Sequence, residues 1–305
     1  MLSREAVEWG YRLILGREPE SEAVIAGKMN CADAAELSGQ LLYCDEFISK
    51  QPSFMPPLNQ WVLIDHPFGF RLWLNLADTA ISWPIMRNNF ELPEIAFLTN
   101  HLKTGDTAID IGANIGFYSL LFASIVGSSG RVIGFEPMPF LHERAAMSVK
   151  ESGFEHCLMH NVALGSEPAS AQLVYAPGSP NWGGAFLSFD GSVLPHHASQ
   201  TVPVHRFSEY LEGIKPNLIK IDIEGGEYLV MSEAREMLSA TKPIILSEIH
   251  SDQLRRVSGV STAEYIGLMS DIGYRCFDIS ESGETRMEFR GDELFEVVNV
   301  AFMPN

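Results

Sequence analysis

Thr107-Ala108-Ile109-Asp110-Ile111-Gly112-Ala113-Asn114-Ile115-Gly116 decides the fold. Its first five residues form a short apolar strand, and the next five a turn of small residues. An apolar helix follows from Phe117 to Val126, and then a second strand that ends in an acid, Arg131-Val132-Ile133-Gly134-Phe135-Glu136-Pro137. Strand, glycine turn, helix, strand and acid outline a nucleoside-binding α/β unit. Gly112 and Gly116 are expected to let backbone approach a ligand, and the helix N-terminus offers N–H groups to an anion such as a carboxylate. Glu136 is placed to accept hydrogen bonds from ribose hydroxyls.

The spacing discriminates between cofactors. Dinucleotide binders favour Gly-x-Gly-x-x-Gly, whose central glycine makes room for a pyrophosphate. Here that position is Asn114, and the pattern is Gly-x-x-x-Gly. NAD and FAD are therefore disfavoured, and S-adenosylmethionine becomes the candidate.

Beyond this unit, strands are expected at 157–161, 218–223, 243–249, 274–279 and 296–302. Helices are expected at 139–152, 228–239 and 261–272. Such alternation specifies a doubly wound, mostly parallel sheet of seven strands. Only an acidic loop joins the last two strands, which allows an antiparallel hairpin at the sheet edge. Upstream, 61–64 and 70–74 flank Asp65-His66-Pro67-Phe68-Gly69 as a hairpin. Residues 1–50 are helical in pattern, with Val7, Tyr11, Ile14 and Leu15 on one face, and Leu37, Leu41, Leu42 and Phe47 as apolar positions further on. The Pro-rich stretch 51–57 is expected to be a linker. The boundary then divides a helical module, 1–52, from a domain at 53–305, itself a hairpin-and-helix segment 53–100 and a core 101–305. Gly165 to Gln200 interrupts the alternation and is rich in glycine and aromatics, as binding loops are.

Bulk properties exclude some functions. The 305 residues hold 21 Lys plus Arg against 39 Asp plus Glu, a net charge of −18. Such a surface repels phosphate backbones, so no nucleic-acid partner is expected. Cys31, Cys44, Cys157 and Cys276 form no C-x-x-C pair and suit reduced thiols in a cytoplasmic protein. No apolar run is long enough to span a bilayer. A homodimer is allowed.

Chemistry concentrates in two further segments. In Leu218-Ile219-Lys220-Ile221-Asp222-Ile223-Glu224-Gly225-Gly226-Glu227, strand alternation puts Lys220, Asp222 and Glu224 on one face. Central parallel strands are normally apolar, so charges at their carboxyl end point to the ligand crevice. Glu227 suits the start of the next helix, where an acid complements the dipole. Pro243-Ile244-Ile245-Leu246-Ser247-Glu248-Ile249-His250 repeats the pattern. Glu248 and His250 could do acid–base work beside Asp222, or hold a divalent cation, although no metal is predicted. Asn161, Val162 and Ala163 follow the third strand, where they would lie beside an adenine.

These motifs resemble the FkbM family of S-adenosylmethionine-dependent methyltransferases. The matching elements are Asp110 to Tyr118, Gly134 to Pro137, Asn161 to Gly165 and Lys220 to Glu227, with Glu248 closing the fifth strand. The likeness covers about residues 75–302. It implies a Rossmann-like class I methyltransferase fold and O-methylation of a sugar, glycan, polyketide or similar small-molecule acceptor. Transfer to nitrogen or a carboxyl group, or a non-catalytic nucleoside-binding scaffold, are the alternatives. It places Asp110, Gly112, Ala113, Asn114, Gly116, Tyr118, Glu136, Pro137, Asn161, Val162, Ala163 and Asp222 around the cofactor. Asp222, Glu248 and His250 are the base candidates. Asn181-Trp182-Gly183-Gly184-Ala185-Phe186-Leu187 looks like the family's glycine-rich central segment, so Asn181, Trp182, Gly183, Phe186 and Glu224 are expected at the acceptor. Arg206-Phe207-Ser208 stands where members often have Thr-Leu-Asp. Tyr11 to Pro19 with Asp45-Glu46-Phe47 looks like a small helical module of bacterial glycan-related proteins.

Overall fold

The computed structural model describes residues 2–42, 44–50, 60–177, 182–288 and 297–305. The chain divides into two compact units, one of Met1–Gln60 with Asn75–Thr79 and one of Trp61–Leu74 with Ala80–Asn305. The expected boundary at 52/53 falls outside the described residues.

The smaller unit is helical, with segments Arg4–Gly10, Tyr11–Leu15, Glu22–Lys28, Ala34–Leu42 and Asp45–Lys50. Ser3 and Ser21 cap two of them by accepting from the N–H groups of Ala6 and Val24. Gly16 ends the Tyr11–Leu15 segment at φ 68°, the left-handed conformation glycine tolerates best. Val7, Tyr11, Leu15, Leu37 and Leu41 meet in its core, whereas Leu42 is exposed.

The larger unit begins with a two-stranded sheet, β1 Trp61–His66 and β2 Phe70–Asn75. Helices Ser82–Met86 and Leu92–His101 lead into β3 Thr107–Ile111, β4 Arg131–Phe135 and β5 Cys157–His160. After a separate insert come strands Leu218–Ile221, Ile244–His250, Tyr274–Ile279, Thr285–Glu288 and Val297–Pro304. The insert itself holds β6 Ala163–Gly165, β7 Ala169–Tyr175, β8 Phe186–Ser188 and β9 Ala198–Arg206, so the five later strands are β10 to β14. The main sheet has the order β13-β12-β14-β11-β10-β3-β4-β5 among the described residues.

Five neighbours in that order, β11, β10, β3, β4 and β5, run parallel. β14 lies antiparallel between β11 and β12, so the expected terminal pair is inserted into the sheet, and the short β13 forms the edge. Alternation sorts the buried strands into two layers. Ala108, Val132, Leu218, Leu246 and Ala301 face the helix Phe117–Val126. Ile109, Ile133, Ile219, Ile245 and Phe302 face Val230, Leu238, Tyr265 and Met269 of the opposite helices. Both faces are covered, as a parallel sheet requires.

Two expectations need correction. The helix expected at 228–239 is two, Glu227–Glu233 and Arg235–Thr241, broken at Ala234. The 165–200 insert, expected as a loop, contributes most of a second sheet ordered β6-β9-β7-β8. Val202 and Val204 of β9 are buried while Pro203 between them is exposed, a period-2 strand pattern masked by the proline.

Candidate active site

Four strand ends converge on a cavity of about 260 Å³ in the larger unit. After β3 the chain turns with Gly112 at φ 88°, Asn114 at φ 52° and Gly116 at φ 87°. The glycines serve the protein's own packing, and Gly112 also lines the cavity. A Cβ on Gly112 would lie 1.9 Å from the Asp222 carbonyl oxygen, and one on Gly116 would lie 2.9 Å from the Ala145 Cβ. Gly112 thus lets the end of β10 close against the turn, which brings Asp222 to the cavity.

Glu136 locks this turn. Its Oε2 accepts from the Asn114 N–H at 2.8 Å and its Oε1 from the Met138 N–H at 2.8 Å. Burial pushes its carboxyl up to about 7, against the pull of those two donors. Each oxygen retains a lone pair, so Glu136 can still accept ribose hydroxyls. The N–H groups of Phe117 and Tyr118, at the helix start, meet no protein acceptor among the described residues, as an anion site requires. A hydroxyl acceptor and free amide donors therefore lie together at this turn.

Across the switch point the cavity is ionic. Lys220 Nζ lies 3.1 Å from Asp222 Oδ2 and 4.7 Å from the Tyr118 ring centroid. Burial opposes the Lys220 charge, but the field of Asp222, Glu91 and Asp110 outweighs it and raises the pKa. Burial, reinforced by Asp222 and Glu224, pushes the Glu248 carboxyl far up, and it shares a hydrogen bond with Asp222. Glu224, at φ 54°, is pushed to about 7 by burial and by Asp222. Glu91, Glu136, Asp222, Glu224 and Glu248 give the wall five carboxyl groups against one ammonium.

The remaining candidates divide. Ala113, Pro137, Tyr118, Trp182 and Gly183 line the cavity. Trp182, expected at the acceptor, also stacks on Trp61 at 6.2 Å and meets the edge of Phe140 at 4.9 Å. Asn181 lies outside the described residues. Asp110 is fully buried behind the wall, where Ser119 Oγ donates to its Oδ2 at 2.6 Å. Asn161 donates to the carbonyls of Glu136 and Pro137 and so braces the loop that carries the acid. Val162 packs in the second core, and Ala163 pairs with Val204 in the insert sheet. Phe186 is buried under the Arg256 guanidinium. His250 lies beyond the cavity lining, and its Nδ1 accepts from the Gln253 N–H. Among the described residues no cluster of three His, Cys, Asp or Glu side chains could hold a metal ion. No described helix is long and apolar enough to cross a membrane.

Glu91 is the cavity acid that sequence reasoning missed. It precedes the helix Leu92–His101, where an acid suggests only an ordinary helix start. Nothing in its spacing signals the approach to Tyr118.

The model of the Methyltransferase FkbM domain matches residues 110–276. Protein-L-isoaspartate O-methyltransferase of Caenorhabditis elegans is 34% identical over 68 residues, which are 22% of this chain and 30% of that protein. The chain thus spans less than a third of that relative's length. Hexuronic acid methyltransferase AglP of Haloferax volcanii is 26% identical over 184 residues, 60% of this chain and 72% of that one. The solved structure of Methyltransferase FkbM from Methylobacillus flagellatus KT aligns with a TM-score of 0.42 at 12% identity, covering 96% of this chain and 58% of the other. With more than half its length matched by the family model, and a doubly wound sheet that carries the glycine turn and Glu136 at its switch point, the chain belongs to the FkbM family of S-adenosylmethionine-dependent methyltransferases.

Proposed function

We propose that the chain methylates a hydroxyl oxygen of a sugar or similar polyhydroxy acceptor, with S-adenosylmethionine as donor. One observation carries the reading: the turn at Gly112–Asn114, Glu136, Asp222 and Glu248 come from four strand ends and line one cavity. The donor supplies a methyl carbon on a positively charged sulfur. What remains for the chain is to align an oxygen with that carbon and remove its proton.

Asp222 is the base in this reading. Lys220 fixes its Oδ2, and the Gly112 contact fixes its backbone. Glu248, held protonated by burial and by neighbouring acids, is a hydrogen-bond donor instead. As the acceptor oxygen bonds to carbon, the carbon–sulfur pair leaves with sulfur and the hydroxyl proton passes to Asp222. Five carboxyl groups in the wall favour an uncharged acceptor over a carboxylate, which Asp222 and Glu224 would repel.

The test is label transfer from methyl-labelled S-adenosylmethionine to matched neutral glycosides, uronates and carboxyl-bearing peptides. Labelled neutral glycosides, with the label on oxygen, support the proposal. Label on uronates or peptides alone would replace it with carboxyl methylation.

A further inference from the structure

We infer that Glu91 is the residue that recognises the α-ammonium of the donor's amino-acid end, acting with the Tyr118 hydroxyl that holds its carboxylate. This rests on the donor assignment above and extends it to a residue outside the glycine turn and the two charged strand ends.

Backbone strain points to Glu91 first. Six non-glycine residues among those described have positive φ: Asn88, Glu91, Asn114, His196, Glu224 and Lys242. Three of these, Glu91, Asn114 and Glu224, line the cavity. Each such conformation costs on the order of 1 kcal/mol and persists where surrounding structure imposes it. Glu91 sits at φ 39° just before a helix, yet its side chain makes no capping bond there. Its side chain lines the cavity instead.

Electrostatics points the same way. The Tyr118 hydroxyl donates to Glu91 Oε2, and the carboxylate forms no ion pair among the described residues. Lys220, the ammonium among the described lining residues, pairs with Asp222 and lies over the Tyr118 ring, so Glu91 feels its field without pairing with it. Burial raises the Glu91 pKa and outweighs the Lys220 field and the Tyr118 hydrogen bond that lower it. A cation entering beside it would complete the site.

Geometry then selects which cation. The donor carries two, the sulfonium and the α-ammonium. The unclaimed N–H groups of Phe117 and Tyr118 are an anchor for a carboxylate. In an α-amino acid the ammonium is two bonds from the carboxyl carbon. A carboxylate on the Phe117–Tyr118 amides therefore brings its ammonium to the Tyr118 side of the cavity, where Glu91 lies. Asp222 pairs instead with Lys220, and Glu248 shares a hydrogen bond with Asp222.

The experiment is calorimetric titration of the full chain and of Glu91→Gln with three ligands. These are S-adenosylhomocysteine, S-adenosylmethionine and the homocysteine analogue lacking its α-amine. Removing one charged hydrogen bond should weaken both amine-bearing ligands about tenfold or more. The desamino analogue should bind the two proteins equally. Tyr118→Phe keeps the carboxylate but frees it, and should give a smaller loss confined to the amine-bearing ligands. Unchanged S-adenosylhomocysteine affinity in Glu91→Gln overturns the inference. So does an equal loss for the desamino analogue, while a loss for S-adenosylmethionine alone would assign Glu91 to the sulfonium. Failure of the unaltered chain to bind any of the three defeats the donor assignment itself, a separate outcome.

Discussion

The two halves of the cavity hold their charges by different means. On the β4 side Glu136 is fixed by backbone, with an N–H group on each oxygen. On the β10 and β11 side, Asp222, Glu224 and Glu248 are held by each other, by Lys220 and by burial. The first half ties its acid to the backbone of the turn and so suits positioning a ligand. The second is poised to move a proton, because its acids compete for few compensating charges. Binding and chemistry should therefore separate by mutation along this line.

Gly112→Ala gives the largest expected effect, since it strikes where the halves meet. A methyl group placed 1.9 Å from the Asp222 carbonyl must force the turn and β10 apart. A loss of about 3 kcal/mol in stability is expected, read by urea unfolding, together with loss of S-adenosylhomocysteine binding. A variant that unfolds and binds normally would break the proposed junction.

Asp222→Asn is next and tests the chemical half alone. Turnover should fall by about 10²- to 10⁴-fold, while S-adenosylhomocysteine affinity changes little. Near-normal turnover would remove Asp222 as the base. Glu136→Gln tests the binding half. An amide cannot accept from both the Asn114 and Met138 N–H groups, so one amide loses its partner. Affinity for S-adenosylhomocysteine should drop by about tenfold or more, at a cost of about 1–3 kcal/mol. A fall in turnover at saturating donor, with affinity intact, would blur the division.

The smallest effect is on pH dependence. Burial raises Glu136 and Glu224 to about 7 and Glu227 to about 8, above the roughly 4.3 of an unfolded chain. Between those limits the folded chain holds protons that the unfolded chain releases. Stability is therefore full below about pH 4 in these groups and declines as pH rises toward about 8. Glu227→Gln should flatten that decline by on the order of 1 kcal/mol, and its amide oxygen can still accept from the Ile223 N–H. Glu227 lies outside the lining, and its Oε1 accepts from the Ile223 N–H at 2.9 Å. An equal slope in the variant would mean that the cavity acids carry the whole effect.

Much of the fold was legible because parallel strands buried on both faces need continuous apolar runs. β3, β4, β10 and β11 announce themselves in that way, and their polar ends stand out by contrast. The insert sheet was not legible. β7 and β9 are partly exposed, β6 and β8 are only three residues long, and Pro203 and the surrounding glycines and serines also suit loops.

Sequence alone determined the α/β class, the nucleoside turn and the acids at strand ends, since all three follow from local patterns of period, glycine and charge. Tertiary structure alone decided which of those acids share a cavity. It set His250 aside, turned Trp182 onto Trp61 and brought Glu91 to Tyr118 across 27 positions of chain. The physical reason is that strand alternation fixes the side of a sheet a residue faces, whereas the distance between residues remote in sequence is set by packing.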